Sequence, residues 1–496
     1  MTATTPTPTR GAAAHDRRRW GGLAVLAASL LVVVMDMTVL NVALPDLTED
    51  LHAGALAQLW IVDVYSLVLA GLLVPVAALA DRWGRRRMLL TGFTIFAVAS
   101  LAALVARSPG DVIAVRALLG VGGAMIMPAT LSLIRALFPD ARERAFALGL
   151  WAATAAVGGA VGPIVGGALL SAFSWHAAFL VNVPLMVVAL VAGLLLLPES
   201  RSERPGRVDA TGTVLSVAGM VAAVYGVKHL GKGDIDVVTT IVLVAGLAML
   251  AGFVRRCLRQ DEPMLAVRLF ADPVFRAGVL TALVSSTAMM ALLFVGSQWL
   301  QLVQGWSPLE AGVALLPMAL GGLVGPPLAP TVAARFGARN VVVAGLAVLA
   351  VGLLVLWLLP RPMPYAGIAV SLLLVGFGTA ALGLASALIM GAAPAHQAGS
   401  AAAVEEMSYE VGGVLGIALL GSLAGAVYRH GLPSGAPDTA VESVTGALGT
   451  PVEPAALASY TDAFGVVGLA GAAITLLVAV LVWRGLPKDV DVSGGH

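Results

Sequence analysis

Fourteen long apolar runs divide this chain, and they leave it very few ways to fold. They cover 21–44, 57–80, 88–107, 112–135, 146–170, 176–197, 208–229, 237–255, 275–303, 310–333, 340–359, 366–391, 399–426 and 463–484. As helices, runs of roughly 20 residues match the hydrocarbon thickness of a bilayer. They are too long for barrel strands and do not alternate. A helix also closes every backbone hydrogen bond within its own segment, which lipid requires. Composition agrees, with 59% hydrophobic and 11% charged residues, where soluble domains carry about 25% charged residues. The expected class is therefore an all-α membrane protein. The polar, basic start (TATTPTPTRGAAAHDRRR) has no short apolar core with a cleavage site, so the first run reads as a span and not a removed signal.

The bulk numbers exclude several roles. A net charge of +1 argues against a nucleic-acid partner. The single cysteine, Cys257, excludes an intrachain disulfide and a Cys metal cluster, and the seven histidines show no metal-ligand spacing. Glycine strings such as GVGGAM (120–125) lie within an apolar span without a preceding strand or a Walker lysine, so they are not a nucleotide loop. No cofactor is expected.

Basic residues set the expected orientation. With the N-terminus inside, the inner segments hold 23 of the 29 Lys and Arg, the outer segments hold Arg107, Lys228, Lys232, Arg361 and Arg429, and Arg116 falls inside a span. Both termini are thus expected in the cytoplasm. Two loops stand out. The stretch 254–276 is amphipathic and basic, fit to lie along the inner surface. The outer loop 427–462 is long and rich in Pro, Gly and Ala, and reads equally as a lid or as an idle loop.

Charges inside the spans are few. An ionised, unpaired carboxylate in hydrocarbon costs several kcal/mol, so each faces a polar cavity, a partner, or carries a proton. Asp36 lies about 24 Å along the first helix from its inner end, with Asp63 about 9 Å and Arg116 about 7 Å from the outer ends of the second and fourth. At these similar depths, Asp36 and Asp63 either form a structural ion pair with Arg116, or at least one binds a proton and a cationic substrate in turn, with Arg116 as relay. In the thirteenth span, VEEMSYEVGG places Glu406 and Glu410 on one helical face, where each disfavours ionisation of the other; Glu405 points elsewhere. A favourable helix dipole is the alternative account, but it fades beyond the first turn. Trp60, Tyr65, Trp299 and Tyr409 offer cation–π faces, or simply interfacial anchoring and core packing. Gly158, Gly162 and Gly166 recur every four residues around Pro163, a smooth face for close helix packing with a bend.

One loop signature occurs twice. ALADRWGRRRMLL (78–90) and VAARFGARNVVVAG (332–345) share Arg, aromatic, Gly, x, Arg, which implies two parallel repeats. Asp81 of the first has no counterpart, since Ala334 stands in the second.

With these motifs the chain resembles the fourteen-span drug:proton antiporter branch of the major facilitator superfamily, over nearly its whole length. The first loop resembles that family's motif A through Asp81, Gly84 and Arg85. RALLGVGGAMIMP (116–128) resembles motif B through Arg116 and Gly120, with Leu119 in place of the usual Gln. GGAVGPIVGG (158–167) resembles motif C, which marks antiporters; DMTVLNVALP (36–45) and WHAAFLVNVP (175–184) resemble two further signatures. QLWIVDVYSLVLAGLLVP (58–75) and AAAVEEMSYEVGGVLG (401–416) resemble multidrug pumps for quaternary ammonium compounds and dyes.

The resemblance implies a major facilitator fold: an N-terminal tail (1–20), a six-helix bundle (21–200), two extra helices (201–257), a linker (258–274), a second six-helix bundle (275–485) and a C-terminal tail (486–496). It implies a non-enzymatic, monomeric exporter in the cytoplasmic membrane. Its partners are protons, lipophilic cations and membrane lipid, and motif A is its gate. A narrower antibiotic or metabolite exporter is the alternative of the same fold. An importer is disfavoured by motif C, and a lipid-modifying enzyme by the lack of Ser/His or His/acid candidates in the spans.

Overall fold

The computed structural model describes residues 10–201, 209–232, 236–260, 263, 265–394 and 397–487; the side chains of some helical residues, Asp81 among them, fall outside the description. Each apolar run is helical. The first half comprises α1 (Arg10–Leu51), α2 (Ala55–Trp83), α3 (Arg85–Ala102), α4 (Pro109–Leu137), α5 (Ala141–Leu170) and α6 (Ala177–Leu196). Two further helices follow, α7 (Ala210–Lys232) and α8 (Val237–Arg259). The second half comprises α9 (Pro273–Leu302), α10 (Pro308–Phe336), α11 (Ala338–Leu358), α12 (Tyr365–Ala392), α13 and α14 (Glu453–Gly485). Helix α13 runs Ala398–Leu415, widens into π-type turns at Gly416–Gly421, and ends as Ser422–His430. Among the described residues, 13 helices are long and apolar enough to cross a membrane, and α5 supplies a further apolar stretch, Val157–Leu170.

The repeat read from sequence is a repeat of backbone geometry. Both loops turn on a glycine with positive φ, +121° at Gly84 and +83° at Gly337. Each donates its N–H to the carbonyl four residues back, Ala80 at 2.9 Å and Ala333 at 2.8 Å. Only glycine adopts such angles without strain. An added Cβ at Gly84 would also have to push aside the Glu199 carboxylate, whose Oε1 lies at 2.6 Å. Gly84→Ala is therefore expected to destabilise the protein by about 1–3 kcal/mol, seen as a lower midpoint in thermal unfolding of the detergent-solubilised protein.

Helices α7 and α8 form a hairpin that leans on α2 through Val217 at Gly71. The outer side of α8 is apolar and exposed, with Val237 75% and Ile241 60% accessible, as a lipid-facing helix must be. At the end carrying the Arg-rich loops, hereafter the basic face, Asp209 accepts hydrogen bonds from Arg256 (2.6 Å) and Gln260 (3.1 Å). The Arg256 bond holds the Asp209 carboxyl down at about 2. The linker is not a free surface strip. Leu265, Ala266 and Leu269 are buried against Phe253, Cys257 and Phe275, and the Ala266 N–H donates to Ser400 Oγ at 2.8 Å.

The long loop is shorter than the sequence suggests. Helices α13 and α14 extend into 427–462, leaving 431–452 as the connection. That connection is packed: Tyr428 Oη donates to Ala440 O (2.7 Å), and Ala440 and Ala447 are fully buried. Glu442 reaches over to Gly54 between α1 and α2, so the segment bridges the two halves at the face opposite the basic loops.

Candidate functional site

Two buried ion pairs and one group of carboxyls occupy the centre of the molecule. Asp36 on α1 meets the Arg116 guanidinium of α4, both nearly inaccessible. Arg116 Nε donates to Ile61 O at 3.1 Å, and Asn182 Nδ2 donates to Asp36 Oδ1 at 2.7 Å. The guanidinium also lies 4.5 Å from the centre of the Tyr65 ring. Asp36 thus accepts from α4 and α6, and Arg116 also bonds the α2 backbone, contacts that make a buried pair tolerable.

Asp63 does not join this pair. Of the two readings left open for these acids, the ion pair with Arg116 holds for Asp36 but not for Asp63, since Lys228 Nζ lies 2.9 Å from Asp63 Oδ2 with both side chains at 0% exposure. Lys228 Nζ also donates to Leu59 O at 2.8 Å and sits 4.1 Å from the centre of the Trp60 ring. Lys228 is therefore a residue of the α7 interior and not of an outer loop. The outer tally of the sequence reading is thereby reduced to Arg107, Lys232, Arg361 and Arg429. The physical reason is rotational: the faces of α2 and α4 that carry Asp63 and Arg116 do not meet, and α7 docks where Asp63 points.

The glutamates of α13 approach the first half at Tyr65. That phenol, fully buried, lies within electrostatic range of Asp36, Arg116, Glu406 and Glu410. Ser66 hydrogen-bonds the Glu410 carboxyl, and Glu410 Oε2 is buried without a hydrogen-bond partner. Among the described residues no Lys or Arg makes an ion contact with Glu406 or Glu410. Glu406 is half-buried and one turn closer to the basic face. Glu405 turns away and accepts from Tyr409 Oη at 2.9 Å. The structure thus brings Asp36, Arg116, Tyr65, Glu406 and Glu410 together, and sets Glu405 with Tyr409 beside them.

The other aromatics are placed differently. Trp299 is wholly buried in the second half, its Nε1 donating to Thr461 Oγ1 (3.1 Å) and its ring stacked on Phe464. Trp60 already faces the Lys228 ammonium, and Tyr65 the Arg116 guanidinium.

The glycine stripe of α5 packs on α1. A Cβ on Gly158 would meet Leu31 O at 3.0 Å, one on Gly162 would collide with Thr38, and one on Gly166 would meet Val39. Glycine here lets two backbones touch behind the row of side chains that bears Asp36. The same helix then reaches the second half: Pro163 O abuts Gly312, and Gly167 abuts Leu309. Ser297 donates to Asn41 O (3.0 Å) and Gln301 to Val42 O (3.0 Å). All these contacts seal the halves together at the end opposite the basic face.

At the basic face, Arg86 N donates to Glu199 Oε1 (3.2 Å), Arg87 Nε lies 3.6 Å from Glu199 Oε2, and Arg85 N donates to Ser200 O (2.9 Å). These bonds tie the loop to the segment that follows α6 in its own half. The Asp81 side chain, which a gate would use, lies outside the described residues.

The model of the Major Facilitator Superfamily matches residues 26–417. The chain belongs to the major facilitator superfamily. This superfamily member is 42% identical over 465 residues to the multidrug efflux pump LfrA of Mycolicibacterium smegmatis, covering 92% of the chain and 91% of that protein. It is 36% identical over 443 residues to the methyl viologen resistance protein SmvA of Salmonella typhimurium, covering 88% of the chain and 89% of that protein. Its fold matches the inward-facing, unoccupied crystal structure of a bacterial homologue of the lysosomal transporter Spinster, with a TM-score of 0.67 at 17% identity over 94% of this chain and 97% of that one. It is a multi-pass membrane protein of a transporter family.

Sequence reading missed Lys228, Asn182, Ser66 and Glu199. Asn182 was visible as an amide within an apolar run, in the stretch WHAAFLVNVP. Lys228 was hidden by its position near the end of its helix, where a lysine ordinarily reaches for water.

Proposed function

We propose that this protein is a proton-coupled exporter of lipophilic cations in the cytoplasmic membrane, working as a monomer with its basic face and both termini in the cytoplasm. The observation that carries the reading is the Glu410 carboxyl, buried with an unpartnered oxygen and with Glu406 one turn away. An ionised carboxylate there is costly, since Arg116 acts on it only across a gap and no cation touches it among the described residues. A proton supplies the positive partner in one half-cycle, and an organic cation in the other. Apolar walls accept varied lipophilic bodies without specific hydrogen bonds. The relatives' names support drug efflux in one case and, in the other, resistance to methyl viologen, itself an organic cation.

The seam among α1, α5, α9 and α10 closes the end opposite the basic face; in the proposed cycle cargo and protons therefore enter from the cytoplasmic side, toward which Glu406 is the nearer of the two carboxyls. The driving force is adequate, since one pH unit supplies about 1.36 kcal/mol and 100 mV about 2.3 kcal/mol per net charge. In this cycle Gly84 and Arg85 keep the basic loop rigid on the segment that follows α6, and Gly158, Gly162, Pro163 and Gly166 let α5 carry α1 against the second half. A narrower antibiotic exporter is the second reading, favoured by 34% identity to the puromycin resistance protein pur8 of Streptomyces alboniger.

Purified protein in liposomes with a pH gradient tests the first reading. Adding ethidium is expected to release protons and to collapse the gradient in proportion to dye moved. Dye movement indifferent to the gradient, or no dye movement with puromycin still transported, would replace it.

A further inference from the structure

The charge ledger of the buried core is uneven. Asp36 is neutralised by Arg116, and Asp63 by Lys228. Glu406 and Glu410 have no ion partner among the described residues. The Lys228 arrangement differs from the Arg116 one in a way that bears on cargo. Arg116 is fixed from several helices and belongs to the same half as Asp36. Lys228 comes from α7, outside both bundles, and reaches a carboxylate and an aromatic face together: Asp63 at 2.9 Å and Trp60 at 4.1 Å. A carboxylate beside an indole is the chemistry that receives an organic cation. Both Asp63 oxygens are buried and neither has a hydrogen bond of ordinary geometry, so Lys228 holds the carboxylate as an ion contact and leaves its hydrogen-bonding capacity open. Asp63 also stands three residues before Ser66, on the same face of α2, one turn from the hydroxyl that holds Glu410. On its far side Lys228 lines a cavity of about 70 Å³ with Gln58 and Gln298, roofed by Tyr428 and the 431–452 segment. The other charged groups lining that cavity are Arg429 and Glu442, while Tyr225 and His229 flank Lys228 on its own helix.

We propose that Asp63 and Trp60 form a second cation seat, that Lys228 occupies it as a tethered competitor, and that this competitor sets the valence of the cargo. With the seat filled, the open carboxyls at Glu406 and Glu410 serve a single positive centre. With Lys228 removed, the second seat takes the other charge of an elongated dication. The inference rests on the cation-export reading above.

The test compares export of ethidium, a monocation, with that of methyl viologen, a dication, in cells and in liposomes. In Lys228→Met the ratio of methyl viologen to ethidium export is expected to rise about tenfold, the scale of one added cation–π and carboxylate interaction. Lys228→Arg, which keeps a cation, is expected to stay near the wild-type ratio, and Lys228→Met with Asp63→Asn to return to it. An unchanged ratio in Lys228→Met, or an equal fall for both cargoes, would overturn the proposal and leave Lys228 as a brace. Should Lys228→Met fail to reach the membrane, Asp63→Asn alone decides: an uncompensated ammonium beside the site is expected to depress methyl viologen more than ethidium, and an equal decline refutes the idea. Wild-type protein that exports neither cation defeats the export reading itself, whereas wild-type export with an unaltered ratio defeats only the role of Lys228.

Discussion

Glu410→Gln is expected to cut ethidium export by about tenfold to a hundredfold, the cost of losing one charged contact to the cargo, and to abolish dye-induced proton release. Glutamine keeps the shape and can still bond Ser66, but it neither releases a proton nor offers a negative charge. The protein should remain folded, because the substitution removes a buried ionisable group whose Oε2 had no partner. Glu406→Gln is expected to act in the same direction. The double variant should be little worse than Glu410→Gln alone, since carboxyls on one helical face act as a unit and their effects do not add. Efflux assays paired with a pH-sensitive dye in liposomes read both quantities. Full coupled export in the double variant would remove these residues from the mechanism.

Arg116→Met should be the most damaging single change to the fold. It leaves Asp36 in a site with 3% exposure and only Asn182 to bond it. Removing one member of a buried pair costs about 3–5 kcal/mol, because the other charge is stranded. The expected result is a protein that is scarce in the membrane or unfolds many degrees earlier in detergent. Adding Asp36→Asn should restore most of that stability, since the amide carries no charge to strand. The double variant then separates two roles. Stable protein that exports normally would make the pair structural, and stable protein that exports nothing would make it part of the relay. Restoration of neither stability nor export would contradict the pairing itself.

The span count and the paired loops were legible because they rest on local physics. A bilayer demands an apolar helix of fixed length, and a tight reversal demands glycine at positive φ, as at Gly84 and Gly337. The Gly158, Gly162 and Gly166 stripe was legible as a packing face, though not that its partner is the back of α1. Depth along a helix was also readable, which put Asp36 and Arg116 at one level.

Direction around the helix axis was not readable, and it decided the site. Whether Asp63 met Arg116 or some other cation depended on which face of α2 turned toward α7, a helix whose docking no periodicity announces. Tertiary packing alone buried Lys228, drew Trp299 into the second-half core, brought Glu406 and Glu410 to Tyr65, and tied the basic loop to Glu199. The sequence determined that this chain lives in lipid as two related helical halves with stranded acids; only the assembled helices decided which acids have a resident cation and which stand open, because charge pairing is set by angle and contact between helices rather than by depth along them.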